Sequence, residues 1–210
     1  MNALIVVDVQ NDFLPGGALP VPDGDAVIPI INALQPCFDL VVATQDWHPP
    51  DHVSFAETHG GSQVGDEIEA GDGRQVRWPA HCVAGTQGAA AAAGLDTARI
   101  EQIVRKGSDR RFDSYSGFFD DGRRDTGLSE YLRQRGAQDV YVCGLALEYC
   151  VRATALDALR EGFRTYVVID ATRAISAAPG DMALAIEDLQ AAGVELMTAE
   201  EVRQRLTCGL

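Results

Sequence analysis

Short runs of apolar residues alternate along this chain with segments of helical periodicity. The runs are Ala3–Val7, Leu40–Ala43, Ile100–Val104, Val140–Cys143, Tyr166–Ile169 and Val194–Met197. Most are rich in Val or Ile with no polar alternation, the pattern of strands covered on both faces. Helical spacing fits Ala26–Leu34, Leu128–Arg135, Glu148–Arg160, Asp181–Ala191 and Ala199–Leu206. Asp25, Ser129 and Thr198 stand near helix starts as candidate caps, and Gly136 and Gly162 stand where helices end. The alternation predicts an α/β/α sandwich, three layers around a six-stranded, mostly parallel sheet. No linker or internal repeat divides the chain, so residues 1–210 are expected to form a single domain.

Two segments interrupt the pattern. Asp46–Gly94 holds both Trp and all four His residues, and Gly107–Thr126 is a second long stretch without periodicity. Long loops in compact domains are usually functional. Ala89–Ala93 is all alanine and is expected to form a short helix. The run Glu57–Gly73 is glycine-rich and acidic, the composition of a lid.

Composition then removes whole classes of function. The net charge is −14, which repels phosphate backbones and argues against nucleic acid as a partner. No run approaches the roughly 20 apolar residues a membrane span needs, and Met1-Asn2-Ala3 lacks a basic leader. Five irregularly spaced cysteines with no CxxC pair predict neither a zinc ribbon nor a dithiol redox site. They fit a reducing, cytoplasmic setting. The cations are 16 Arg and one Lys, and that lysine is Lys106. An Arg-rich genome accounts for the ratio but not for the one position that stayed Lys.

The polar residues at the strand ends carry the chemistry. Asp8 follows the first strand, Asp46 the second and Lys106 the third, while Cys150 lies at a helix start beyond the fourth. Open parallel sheets build sites at the carboxyl ends of their strands. A cysteine attacks carbonyl carbon as thiolate and needs a base and a positive charge nearby. Asp8 can be that base and Lys106 that charge, and a helix N-terminus at Glu148–Cys150 would favour the anion. Asp46-Trp47-His48 on an extended chain places Asp46 and His48 on one side. His81, with His52 as a second candidate, can complete a set that suits zinc, iron or manganese.

These residues sit in motifs of high joint specificity: Val7-Asp8-Val9-Gln10-Asn11-Asp12-Phe13, Thr44-Gln45-Asp46-Trp47-His48-Pro49, Trp78-Pro79-Ala80-His81-Cys82, Lys106-Gly107, Tyr115-Ser116-Gly117-Phe118 and Cys143-Gly144-Leu145-Ala146-Leu147-Glu148-Tyr149-Cys150-Val151. In order and spacing they resemble the nicotinamidase/pyrazinamidase branch of the isochorismatase-like cysteine hydrolases, over nearly the whole chain. The resemblance implies Cys150 as nucleophile, Asp8 as general base and acid, and Lys106 as their electrostatic partner. It implies one divalent metal, zinc first and iron or manganese next, on Asp46, His48 and His81. His52 is a further candidate ligand, although the gap from His48 is shorter than in members that use such a residue. It implies a cis peptide between Leu145 and Ala146, an oxyanion hole from the amides of Ala146 and Cys150, and a ring slot of Phe13, Leu19, Trp78 and Tyr115. The expected substrate is nicotinamide, with pyrazinamide beside it, and the expected assembly is a monomer or homo-oligomer, a dimer being favoured. Other amidohydrolases of this fold, acting on carbamoyl-amines or ureides, are the nearest rivals. A vinyl-ether hydrolase that works without the cysteine and a non-catalytic binding protein on the same scaffold stand further off.

Overall fold

A computed structural model describes residues 1–70, 73–175 and 179–207. Its main sheet has six strands: β1 (Asn2–Val7), β2 (Leu40–Asp46), β5 (Ile100–Lys106), β6 (Asp139–Leu145), β7 (Arg164–Arg173) and β8 (Glu195–Met197), in the spatial order β5-β2-β1-β6-β7-β8. Every pairing in it is parallel. The central strands are largely apolar because both faces are covered. Along β1, Leu4 and Val6 pack into one apolar layer and Ala3, Ile5 and Val7 into the other. The first layer is closed by α1 (Val27–Leu34) and α5 (Ala199–Arg205), the second by α2 (Leu128–Gln134), α3 (Arg152–Arg160) and α4 (Pro179–Ala192). The three-layer α/β/α sandwich with a six-stranded sheet is the fold the periodicity predicts. No described helix is long and apolar enough to cross a membrane.

The local departures have physical reasons. Thr198 caps α5 with a reciprocal Glu201 bond, and Gly136 and Gly162 adopt positive φ just past their helices. Asp25 instead lies inside a 3-10 turn ahead of α1, and Gly127, not Ser129, caps α2. Ser129 spends its hydroxyl on Glu161 at 2.6 Å. Ala89–Ala93 forms turns, not a helix, because Gln10 and Val9 draw on the carbonyl of Ala89 and the N–H of Ala92. The Glu57–Gly73 run contains a strand, β3 (Glu67–Ala70), that pairs antiparallel with β4 (Gly73–Val76). Gly71 and Asp72 of that run lie outside the described residues. The helix expected from Glu148 begins later, since Leu147–Val151 is a π-turn that leads into α3.

One glycine sets how closely two strands meet beneath the site. Gly144 of β6 pairs with Val7 at φ 110°, and a Cβ there would lie 2.1 Å from the Val7 carbonyl oxygen. Gly144→Ala is therefore expected to destabilise the chain by at least about 2 kcal/mol from strained φ and overpacking. That corresponds to roughly 4–8 °C in Tm for a chain of this size. A thermal melt matching the parent would contradict this reading.

Candidate active site

Four segments converge at the carboxyl edge of the sheet. Asp46 and Lys106 are the last residues of β2 and β5 and are register partners. Asp8 follows β1 with φ 49°, a left-handed turn that a non-glycine residue adopts only when its surroundings hold it. Thr44 supplies that hold: its hydroxyl donates to Asp8 Oδ1 at 2.6 Å and accepts from the Asp8 N–H at 3.2 Å. Cys150 arrives on the π-turn, and its thiol is buried at the foot of the site. The Leu145–Ala146 peptide is cis.

Lys106 is the hub. Its Nζ lies 2.9 Å from Asp8 Oδ2 and 2.5 Å from Asp46 Oδ1. It donates to the Ser114 carbonyl at 2.8 Å and to Cys150 Sγ at 3.4 Å. Burial alone would strip its proton, but Asp46 and then Asp8 outweigh burial and hold the ammonium charged well above its ordinary range. Burial pushes the Asp8 carboxyl up, with Lys106 opposing. Burial also pushes up Asp46, yet Lys106 and then His48 pull it well below the usual carboxylate range. Two carboxylates on one ammonium thus differ: Asp46 is a fixed anion and Asp8 a stronger base. Burial raises the Cys150 thiol, with Lys106 opposing. A buried neutral thiol beside a strengthened carboxylate base is suited to proton transfer during attack.

Beside this group stands a second one. Beyond β2 the chain stays extended, with the Trp47 N–H on the Lys106 carbonyl and the His48 N–H on the Cys82 carbonyl. Trp47 turns the other way, under the Arg105 guanidinium, so Asp46 and His48 share a side. His48 Nδ1–H donates to the Gly107 carbonyl at 2.9 Å and His81 Nδ1–H to the Pro79 carbonyl at 2.8 Å. A carbonyl can only accept, so each ring presents Nε2 to the site. These Nε2 atoms face Asp46 Oδ2 at 3.5 and 3.9 Å. Such gaps are too long for good hydrogen bonds. The first falls within the roughly 3.3–3.6 Å between ligands on a tetrahedral ion with bonds of about 2.0–2.2 Å, and the second lies just beyond it. Asp46, His48 and His81 accordingly form a group that can hold a metal ion, and the donor chemistry fits a divalent one.

His52 does not join it. Its Nδ1 accepts from the Ser54 N–H at 3.3 Å and lies 2.7 Å from Ser54 Oγ, while Nε2–H donates to the Phe112 carbonyl at 3.0 Å. Both nitrogens are committed, and the ring packs 4.2 Å from that of His48. Burial and the His48 charge lower its pKa to about 4.

Asp46 and His81 of one group and Cys150 of the other line a shared cleft. Phe13, Leu19, Trp78 and Tyr115, the four residues of the expected ring slot, all line it, together with Ala146 and Cys150. The Trp78 indole N–H donates to the Tyr115 hydroxyl at 3.1 Å. Tyr149 and Ile175 also line it and were not among the expected residues. Tyr149 stands one position before the thiol and meets Trp78 edge-on at 5.0 Å. Phe55 is another residue the motifs do not single out, and the rings of His48, His52 and His81 all pack around it. Asp12 ties the walls together, accepting from the N–H groups of Cys82 at 2.7 Å and Ala18 at 3.2 Å. Among the other cysteines, Cys82 and Cys143 are buried free thiols. Cys208 lies outside the described residues.

A Rossmann-like parallel sheet thus carries Asp8, Lys106 and Cys150 together at its carboxyl edge. Residues 2–201 match the isochorismatase domain model. The nicotinamidase of Acinetobacter baylyi is 47% identical over 201 residues, covering 95% of this chain and 94% of that one. A solved nicotinamidase/pyrazinamidase of Acinetobacter baumannii superposes with a TM-score of 0.92 at 45% identity, covering 96% of this chain and 97% of that one. The pyrazinamidase of Pyrococcus horikoshii, solved in complex with zinc, gives 0.77 at 42% identity, with 94% and 98% covered. The chain belongs to the isochorismatase family, in its nicotinamidase branch.

Gly107 lets the metal group close. It has φ +64°, and a Cβ there would sit 2.3 Å from the His48 ring. Gly107→Ala should displace that ring and weaken zinc retention by at least about tenfold. Gly61→Ala, at φ +90° with nothing within 4 Å, is the control for backbone strain alone. Competition with a chromogenic chelator measures both, and equal affinities would refute the reading.

Proposed function

We propose that this protein hydrolyses nicotinamide to nicotinic acid and ammonia through a thioester on Cys150, with pyrazinamide as a second substrate. The observation that carries the proposal is the contact of one ammonium with a carboxylate base, a thiol and the carboxylate of a metal-fit group, at the foot of an aromatic cleft. The likeness to nicotinamidases over nearly the full length of both chains selects the amide.

The flat ring lies among Phe13, Trp78 and Tyr115, with Leu19 at its edge, and its carboxamide faces Cys150. Asp46, His48 and His81 hold a divalent ion, and zinc is the proposed metal, on the precedent of the Pyrococcus protein. When bound, the ion supplies a Lewis-acid anchor for the ring nitrogen of the substrate. Asp8 removes the thiol proton as sulfur attacks the carboxamide carbon. The amides of Ala146 and Cys150 donate to the oxygen that becomes negative. Asp8 returns the proton to the nitrogen, the carbon–nitrogen bond breaks, and ammonia leaves a nicotinoyl thioester. Asp8 then takes a proton from water, whose oxygen attacks the thioester carbon, and nicotinic acid leaves as the thiol is restored. Lys106 stays charged throughout and holds Asp8 and Asp46 in place. The whole chain acts as one domain, and its proposed place is the cytoplasm, where nicotinamide is returned to NAD.

Cys150→Ala is expected to reduce ammonia release from nicotinamide to background while retaining ligand binding, read by coupled assay and by calorimetry. Full activity would remove the mechanism. Lys106→Arg replaces a compact ammonium at a crowded hub with a larger planar head. The resulting displacement should cost at least about 10²-fold in kcat, and unchanged turnover would show that geometry at Lys106 is not limiting.

A further inference from the structure

The mechanism leaves one buried carboxylate beside the site without a task. Asp113 lies in the loop after β5 and is 3% exposed. Its Oδ1 accepts from the Ser114 N–H at 2.8 Å, and its carbonyl accepts from the Asp121 N–H at 2.8 Å. Its Oδ2 is buried with no hydrogen-bond partner. A carboxylate oxygen in that state is costly unless positive charge lies close. The Asp113 carboxylate is within 4.8 Å of ring nitrogens of His48 and His52. Neither ring offers it a free lone pair or proton on that side. His48 Nδ1–H is spent on Gly107, and both nitrogens of His52 are spent on Ser54 and Phe112.

The charges of the site show what is missing. Asp8, Asp46 and Asp113 are buried carboxylates around one buried ammonium, Lys106. Lys106 pairs with Asp8 and Asp46, and no described cation is paired with Asp113. The Asp113 carboxylate lies within 4.8 Å of a His48 ring nitrogen, near enough for its negative charge to favour positive charge held on that ring.

We propose that Asp113 is a positioning residue for the metal: its buried negative charge, acting through His48 and without ligating, sets how tightly the site holds a divalent cation. This rests on the assignment of the metal to Asp46, His48 and His81. The test uses zinc-loaded enzyme and a competing chelator. Asp113→Asn keeps shape and removes charge, and Asp113→Ser is a second neutral variant should the first fold poorly. Both should hold zinc about 10–100-fold more weakly than the parent. Both should also melt, once stripped of metal, at the parent's temperature or above, because an unpaired buried charge has gone. The opposite directions of the two readouts separate the proposal from a packing role. Parental zinc affinity in the variants would overturn it, as would a stripped variant that melts well below the parent. A parent that binds two zinc ions and variants that bind one would also overturn it, by making Asp113 a ligand in its own right. A parent that binds no zinc would instead overturn the metal assignment beneath it.

Discussion

Everything at the carboxyl edge of the sheet is arranged around one buried ammonium. Lys106 is fully enclosed and touches two carboxylates, a carbonyl and the thiol. Each of these groups would be expensive to bury alone, and removing Lys106 would leave two uncompensated anions in a dry interior. The strands are therefore committed to bringing these groups together. Register pairs Asp46 with Lys106, and the left-handed turn at Asp8 swings its carboxylate to the same point. The same contact gives the two carboxylates different characters. Asp46 faces two imidazoles as well as the ammonium and stays anionic, whereas Asp8 shares Lys106 and is left the better base.

That division lets one site do two jobs without mixing them. In the proposed mechanism the imidazole side orients, and the thiol side reacts. They meet only at Lys106 and at the cleft, whose aromatic walls are flat enough for a planar ring and apolar enough to exclude water from the thiol. The supports are mostly backbone: Gly107 and Pro79 carbonyls fix the two imidazoles, and the Ser114 carbonyl takes one ammonium proton. A site built on backbone carbonyls is precise because the sheet and loops that carry them cannot rotate as side chains do.

What was legible in the sequence follows from this. Strand ends are readable, because apolar runs stop where polar residues appear: Asp8 directly follows its run, and Asp46 and Lys106 stand shortly beyond theirs. The lone lysine was readable as an anomaly in an arginine-rich chain, and its place at the hub explains why a planar guanidinium does not stand there. The extended Asp46-Trp47-His48 segment was readable from period two. Loop interiors were not. Tyr149, Ile175, Phe55 and Asp113 contact the site only through chain reversals that no periodicity encodes, and the β3–β4 hairpin lies in a run whose composition suggested a lid. His52 was drawn toward the metal by its residue type, but Ser54 and Phe112 occupy its two nitrogens. The thiol was expected at a helix start, and it lies instead on the π-turn that precedes α3.

The account's central claim is that Cys150 bonds to the carbonyl carbon of a pyridine-3-carbonyl ligand held in this cleft. The direct measurement is a carbon-13 NMR spectrum of nicotinaldehyde, labelled at the aldehyde carbon, bound to the enzyme. The account predicts a tetrahedral, sulfur-bearing carbon in the parent protein that is absent in Cys150→Ala. A bound aldehyde whose carbon stays trigonal in the parent, or gives the same tetrahedral signal without Cys150, would contradict it.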